Sequence, residues 1–432
     1  PILIKDNIEV AGPLPTTAGS LALINNVTNR DAPLVTRLRA AGMVIVGKAN
    51  LSEWANIRSS DSISGWSAVG GQTRNPYALD RNPCGSSSGS GAAVAAGIVD
   101  YAIGTETNGS ISCPASANGV VGFKPSVGLV SRTHIIPISV TQDTAGPMTR
   151  TVRQAAEIMN AIAGTDPADP STAEADKRKA DYVAALDAGS LKGKRLGVMR
   201  FAAGFGTDAA LAQALTVLRA YGAEIVEIKE WGGPKEQPEQ LEVLLTEFKA
   251  GLNAYLAATP QTVKTRTLAD VIAFNKATPR ELALFGQDLF EKAEATKGLD
   301  DPEYRKARDY GIEYAGAKGI DRLLRTHKLD GLIGPTVSAA WPIDAVHGDQ
   351  YPGGGGGYLA AMAGYPHLTV PMGQVKGLPV GLSFIGPKWS DAQFLGLRFA
   401  YEQARGPLPP PRFVPSIEEA PEVAPLLEPV RR

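Results

Sequence analysis

Cysteine and histidine are scarce in this chain of 432 residues, and their scarcity removes whole classes of chemistry. The two cysteines, Cys84 and Cys113, make neither a disulfide framework nor a CxxC metal spacing. The four histidines, His134, His327, His347 and His367, are scattered, so no metal constellation is recognisable. No metal and no cofactor is expected. An excess of one charge is also missing: 43 basic residues stand against 44 acidic ones, for a net charge of −1. Without a basic block or acidic tail, nucleic acid and anionic membranes are not expected as partners. No apolar run approaches the ~20 residues of a bilayer span, and no internal repeat is apparent. The chain starts at Pro1 with neither an initiator methionine nor a leader. An upstream segment is thus trimmed or absent, any signal peptide is out of view, and the sequence assigns no compartment.

Hydrophobic residues make up 44%, enough for a sizeable core, and the length suits one large or two ordinary domains. Short Val- and Ile-rich runs bounded by turn residues predict buried strands at Ile2–Ile4, Met43–Val46 and Leu196–Met199. Helical patterns lie between them at 32–41, 152–163, 208–221 and 392–404. Pro33 starts the first of these helices and Gly42 stands at its end. Strands alternating with helices predict an α/β layered fold with a mixed or parallel sheet. From about 240 to 325 the chain reads as helical and charged. Leu268, Val271, Ile272 and Phe274 form one apolar face there, and Leu282, Leu284, Phe285, Leu289 and Phe290 a second. Gly353 to Gly357 predicts a flexible loop, placed to rim a site. The proline-rich stretch 406–432 reads as an extended tail.

Against this background two serine-rich loops stand out, Cys84-Gly85-Ser86-Ser87-Ser88-Gly89-Ser90-Gly91 and Gly104-Thr105-Glu106-Thr107-Asn108-Gly109-Ser110-Ile111-Ser112-Cys113. Both cysteines flank these loops and read as small residues packing beneath them, with pairing between them left open. A serine hydroxyl attacks only after a base takes its proton. A lysine can be that base if burial lowers its pKa. Lys5, approached by the apolar Ile2-Leu3-Ile4 and followed by Asp6-Asn7, is placed for it. Two blander readings compete. Gly89 to Val94 lacks the third glycine of a dinucleotide fingerprint, and no Walker-type Gly-Lys-Ser/Thr follows. Gly85-Ser86-Ser87-Ser88-Gly89 matches the nucleophile elbow of α/β-hydrolases, which would make Ser87 the nucleophile and His347 or His367 the base. That alternative leaves the second loop and Lys5 unexplained.

The Lys5-Asp6-Asn7 start and the two loops resemble the amidase signature family of Ser-cisSer-Lys hydrolases. Further blocks follow in the family's order: Thr16 to Ser20, Gly47 to Asn50, Gly122 to Ser126, Gly334-Pro335-Thr336, Gly364 to Gly373 and Leu378 to Gly381. The resemblance implies one large mixed sheet wrapped by helices in a single amidase domain, 1–432. Its parts are a signature core at 1–164, a variable helical region at 165–325, a C-terminal part of the core at 326–405 and the tail at 406–432. It also implies helical sequence ahead of Pro1.

The same resemblance implies Ser110 as nucleophile, Ser86 on a cis peptide as proton relay and Lys5 as base. The backbone N–H groups of Thr107, Asn108, Gly109 and Ser110 would then form the oxyanion hole. Asn108 stands where the family more often has glycine. Ser112 stands where many members carry an arginine, which speaks against an amidotransferase component that works on aminoacyl-tRNA. Thr105 and Thr107 read equally well as turn residues, and Ser87 and Ser131 as structural hydrogen bonders. The stretches Asn82 to Ser90 and Gln142 to Met148 look most like the peptide amidase branch, implying a peptide C-terminal carboxamide as substrate. A general aliphatic or aryl amidase is the neighbouring alternative. A monomer or homodimer acting on a small-molecule or peptide amide is expected.

Overall fold

The apolar runs that bracket the serine loops become neighbours in one mixed ten-stranded sheet, seen in a computed structural model that describes residues 1–428. In chain order its first five strands are β1 (Ile2–Lys5), β2 (Ile45–Ala49), β3 (Tyr101–Glu106), β4 (Val121–Lys124) and β5 (Thr144–Thr149). The rest are β6 (Arg195–Met199), β7 (Glu224–Ile228), β8 (Gly331–Pro335), β9 (His367–Val375) and β10 (Leu378–Ile385). Their spatial order is β2-β1-β3-β5-β4-β9-β10-β8-β6-β7. The two edges are parallel, β2 and β3 to β1 and likewise β8 and β7 to β6, and the centre is antiparallel. This is the α/β fold expected, a large mixed sheet wrapped by helices.

Helices cover both faces because the strands are apolar on both. The helix Val152–Ile162 starts with a reciprocal cap between Thr151 and Gln154 and buries Val152, Ala155, Ala156, Ile158, Met159 and Ile162. Each large apolar side chain so removed from water is worth about 1.5–3 kcal/mol. On the other face lie the small-residue helices Ser88–Ala95 and Ser112–Ala117, whose thin side chains let them approach the strands closely. They begin within the two serine loops, two residues beyond Ser86 and two beyond Ser110.

Several local expectations need correction. The second strand begins two residues later than its apolar run, at Ile45, where pairing with β1 sets in. The stretch 278–287 is turn, not helix, and Leu284 is exposed; only Asp288–Glu294 coils. Gly353–Gly357 does rim a cavity, but it is close-packed and not a loose loop. A Cβ on Gly355 would stand 2.0 Å from the Pro335 carbonyl oxygen, so glycine serves close approach there. The tail is extended only at first: Ile417–Glu419 and Ala424–Leu427 are helical. Its residues 429–432 lie outside the described residues.

Candidate active site

Lys5 is carried to its position by the sheet. Ile2 and Ile4 anchor β1 in the core, and the parallel register pairs Ile4 with Ile103 of β3, so Lys5 arrives beside Gly104 and Thr105. Its side chain is wholly enclosed. Nζ lies 2.7 Å from Ser86 Oγ, 2.8 Å from Thr105 Oγ1 and 3.2 Å from the Thr105 carbonyl oxygen. Asn7 Nδ2 donates to the same Thr105 hydroxyl at 3.0 Å. Every direct partner is neutral. Burial therefore pulls the Lys5 pKa down to about 7, against the more distant pull of Asp143 and Glu106 in the other direction. An amine in that state exchanges a proton near neutrality.

Ser86 follows a cis peptide bond from Gly85 and is fully buried. The two serine loops are laced together. The Ser87 N–H donates to the Ser110 carbonyl at 3.0 Å, and Ser87 Oγ donates to the Thr105 carbonyl at 3.1 Å. Gly104 is required by this lacing, because a Cβ there would come within 2.7 Å of Ser87 Oγ. Cys84 and Cys113, whose pairing the sequence leaves open, are joined by a disulfide with Cα atoms 5.9 Å apart. The bond ties the start of one loop to the helix that follows the other.

The second loop is held by two acids. Glu106, at the end of β3, accepts from the Ile111 and Ser112 N–H groups with one carboxylate oxygen, each at 2.8 Å. Asp143 accepts from Thr107 Oγ1 at 2.6 Å and from the Ile138 and Ser139 N–H groups at 2.8 and 2.9 Å. Gly109 has φ +86°, a conformation that side chains resist, and its missing Cβ faces open space. The N–H groups of Thr107, Asn108, Gly109 and Ser110 find no protein acceptor among the described residues. Unmatched donors converging on one loop can stabilise an oxyanion.

Ser110 and Ser86 line one cavity of about 370 Å³, together with Asn7, Thr105, Thr107 and Asp143. Its outer wall comes from Ile135 to Val140, the ion pair of Arg132 with Asp169 and, from a remote helical stretch, Glu247, Ala250, Gly251 and Leu299. Ser110 Oγ makes no hydrogen bond to a described residue, so the hydroxyl is free for a ligand. The nucleophile-elbow alternative has no base. His347 is exposed and paired with Asp344, while His367 is buried against Ser383, and burial pulls its pKa down to about 4. Ser87 is enclosed and saturated by Thr105.

The sequence reading thus has Lys5 and Ser86 in contact and Ser110 opening on the same cavity. It missed Thr105 as the lysine's second hydroxyl, and Glu106, Asp143 and Glu247 altogether. Glu106 left a signal: an acid just before a helix start is placed to accept its orphan N–H groups. Glu247 left none, since it meets Ser139 and Thr141 across more than a hundred residues.

Comparison with known proteins shows the family. The Amidase family model matches residues 1–395. A probable amidase of Arabidopsis thaliana is 41% identical over 429 residues, 96% of this chain and 78% of the relative. The native peptide amidase of Stenotrophomonas maltophilia superposes with a TM-score of 0.87 at 51% identity, over 96% of this chain and 84% of that one. A putative amidase of Arthroderma benhamiae is 36% identical over 437 residues, 93% of this chain and 70% of its own. A family model spanning nine-tenths of the sequence and a shared sheet lead to one conclusion: the chain belongs to the amidase signature family and is a hydrolase acting on amides.

Proposed function

We propose that this amidase removes the C-terminal carboxamide of peptides, through an acyl-enzyme on Ser110. The observation that carries the proposal is the Lys5 amine, desolvated to a pKa of about 7 and 2.7 Å from Ser86 Oγ, beside an unengaged Ser110 hydroxyl. Ser110 Oγ attacks the carbonyl carbon, its proton passes to Ser86, and the Ser86 proton passes to neutral Lys5. The negative oxygen so formed falls to the N–H groups of Thr107, Asn108, Gly109 and Ser110. Return of the proton to the amide nitrogen lets the C–N bond break and ammonia leave. Water then attacks the ester by the same relay and frees the carboxylate.

The likeness to a peptide amidase over nearly the whole chain supports a peptide substrate, as does a largely apolar cavity of a size typical for ligands. Ser112 offers no cation for a substrate carboxylate, which supports hydrolysis of peptide amides over glutamine-dependent transamidation. Mass spectrometry of a peptide-amide panel should show the one-dalton gain of acid over amide, with free ammonia. A fluorophosphonate probe should label Ser110; labelling at Ser87, or hydrolysis of simple amides alone, would overturn the reading.

A further inference from the structure

A second cavity, of about 430 Å³, lies against the backbone of Asn108 and Gly109. Among the described residues Asp349 supplies its only carboxylate, and neither lysine nor arginine lines it. Trp341 and Tyr351, edge to face at 5.2 Å, and Tyr358 give it aromatic surface. All the donors that hold Asp349 are neutral: the Ser64 N–H at 3.0 and 3.1 Å, Asn82 Nδ2 at 2.8 Å and Trp341 Nε1 at 3.1 Å. Burial pushes its carboxyl above the ordinary carboxylate range, and no cation among the described residues offsets that. Asn82 in turn accepts from the Cys84 N–H at 2.8 Å, so the carboxylate is tied to the loop that carries Ser86.

A second acceptor in that wall points the same way. His367 donates from Nε2 to Ser383 Oγ, which itself donates to Thr336 Oγ1. That chain leaves a lone pair on His367 Nδ1, which is buried without a partner among the described residues. Burial keeps this imidazole neutral, with its pKa pulled to about 4. A fixed anion, an orphan acceptor and aromatic edges and faces together suit a ligand that brings positive charge and N–H donors.

We propose that the second cavity binds a substrate ammonium group, the free amino terminus of a short peptide amide whose carboxamide lies at Ser110. The proposal rests on the peptide-amide reading for the rest of the substrate. Asp349 is a specificity residue here and takes no part in bond breaking.

The test compares a free dipeptide amide with its N-acetyl form at about pH 7, where an α-ammonium of pKa about 7.7–8.0 is mostly charged. The free form should have a kcat/KM about tenfold higher. Asp349→Asn keeps an acceptor oxygen for Ser64, Asn82 and Trp341 but drops the charge. It should bring the ratio close to one, by lowering kcat/KM for the free form far more than for the acetylated one. In the unaltered enzyme the ratio should also shrink toward one by about pH 9.5, where the amine is neutral, a readout that needs no variant. Equal rates for the two forms in the unaltered enzyme, or a ratio untouched by Asp349→Asn, would overturn the proposal. Should peptide amides prove inert while simple carboxamides react, the peptide reading fails alone. The ratio is then read on an aminoalkyl carboxamide and its N-acetyl form.

Discussion

Lys5 and Arg58 are both completely enclosed cations, set in different regions and surrounded in opposite ways. Lys5, at the end of β1, touches only hydroxyls and a carbonyl, and burial lowers its pKa to about 7. Arg58, where the signature segment meets the helical stretch 240–325, lies 2.5 Å from Glu53 and 3.4 Å from Glu281. Its guanidinium also covers the Phe285 ring at 4.1 Å. Glu281 reaches on to the Leu21 N–H at 2.7 Å, so the cluster pins three distant segments together. Burial alone does not decide what a cation is for. Carboxylate partners lock the charge and make a joint, whereas hydroxyl partners leave a proton free to move.

The sharpest way to break this contrast is a pair of changes that should dissociate. Lys5→Met should lower kcat/KM by at least the ~10²–10⁴ of general acid–base catalysis. Its unfolding midpoint in urea should hold or rise, since a desolvated amine without a counter-ion is lost. Arg58→Met should do the reverse, costing about 3–5 kcal/mol by stranding two buried carboxylates while the folded fraction keeps its catalytic pH profile. If Lys5→Met unfolds the protein or Arg58→Met selectively abolishes turnover, the distinction collapses.

A smaller effect sharpens the Lys5 side. In the proposed mechanism the ammonium must lose its proton before it can act, and its folded pKa lies near 7, so kcat/KM should rise with pH through about 7 to a plateau above. On the acid side the fall should be about tenfold per unit. A profile measured from about pH 5 to 10 that peaks in acid would mean another base. The smallest effect is a control. His347, exposed and paired only with Asp344, should tolerate alanine with stability within about 0.5 kcal/mol and an unchanged rate.

Strands in both edges of the sheet were legible because Ile2–Ile4 and Leu196–Met199 are short apolar runs between turns, and the helices because their periodicity is regular. Lys5 was legible from that same apolar approach, which makes solvation of its side chain unattractive. Thr105 was not, since only the pairing of Ile4 with Ile103 brings it beside the lysine. Glu247 and Glu281 escaped for the same reason, as their partners lie more than a hundred and more than two hundred residues away. The cysteine pair stayed open because spacing along a chain does not encode distance in space.

That pair has a consequence for the chain as a thread. The Cys84–Cys113 bond closes a ring, and the ring contains both Ser86 and Ser110. The ring is accessible at the turn after the helix Ser88–Ala95, where Ile98 is 72% exposed. A protease that nicks there opens the ring without releasing either part. The two serines then sit on separate polypeptides that remain one molecule until a reductant parts them.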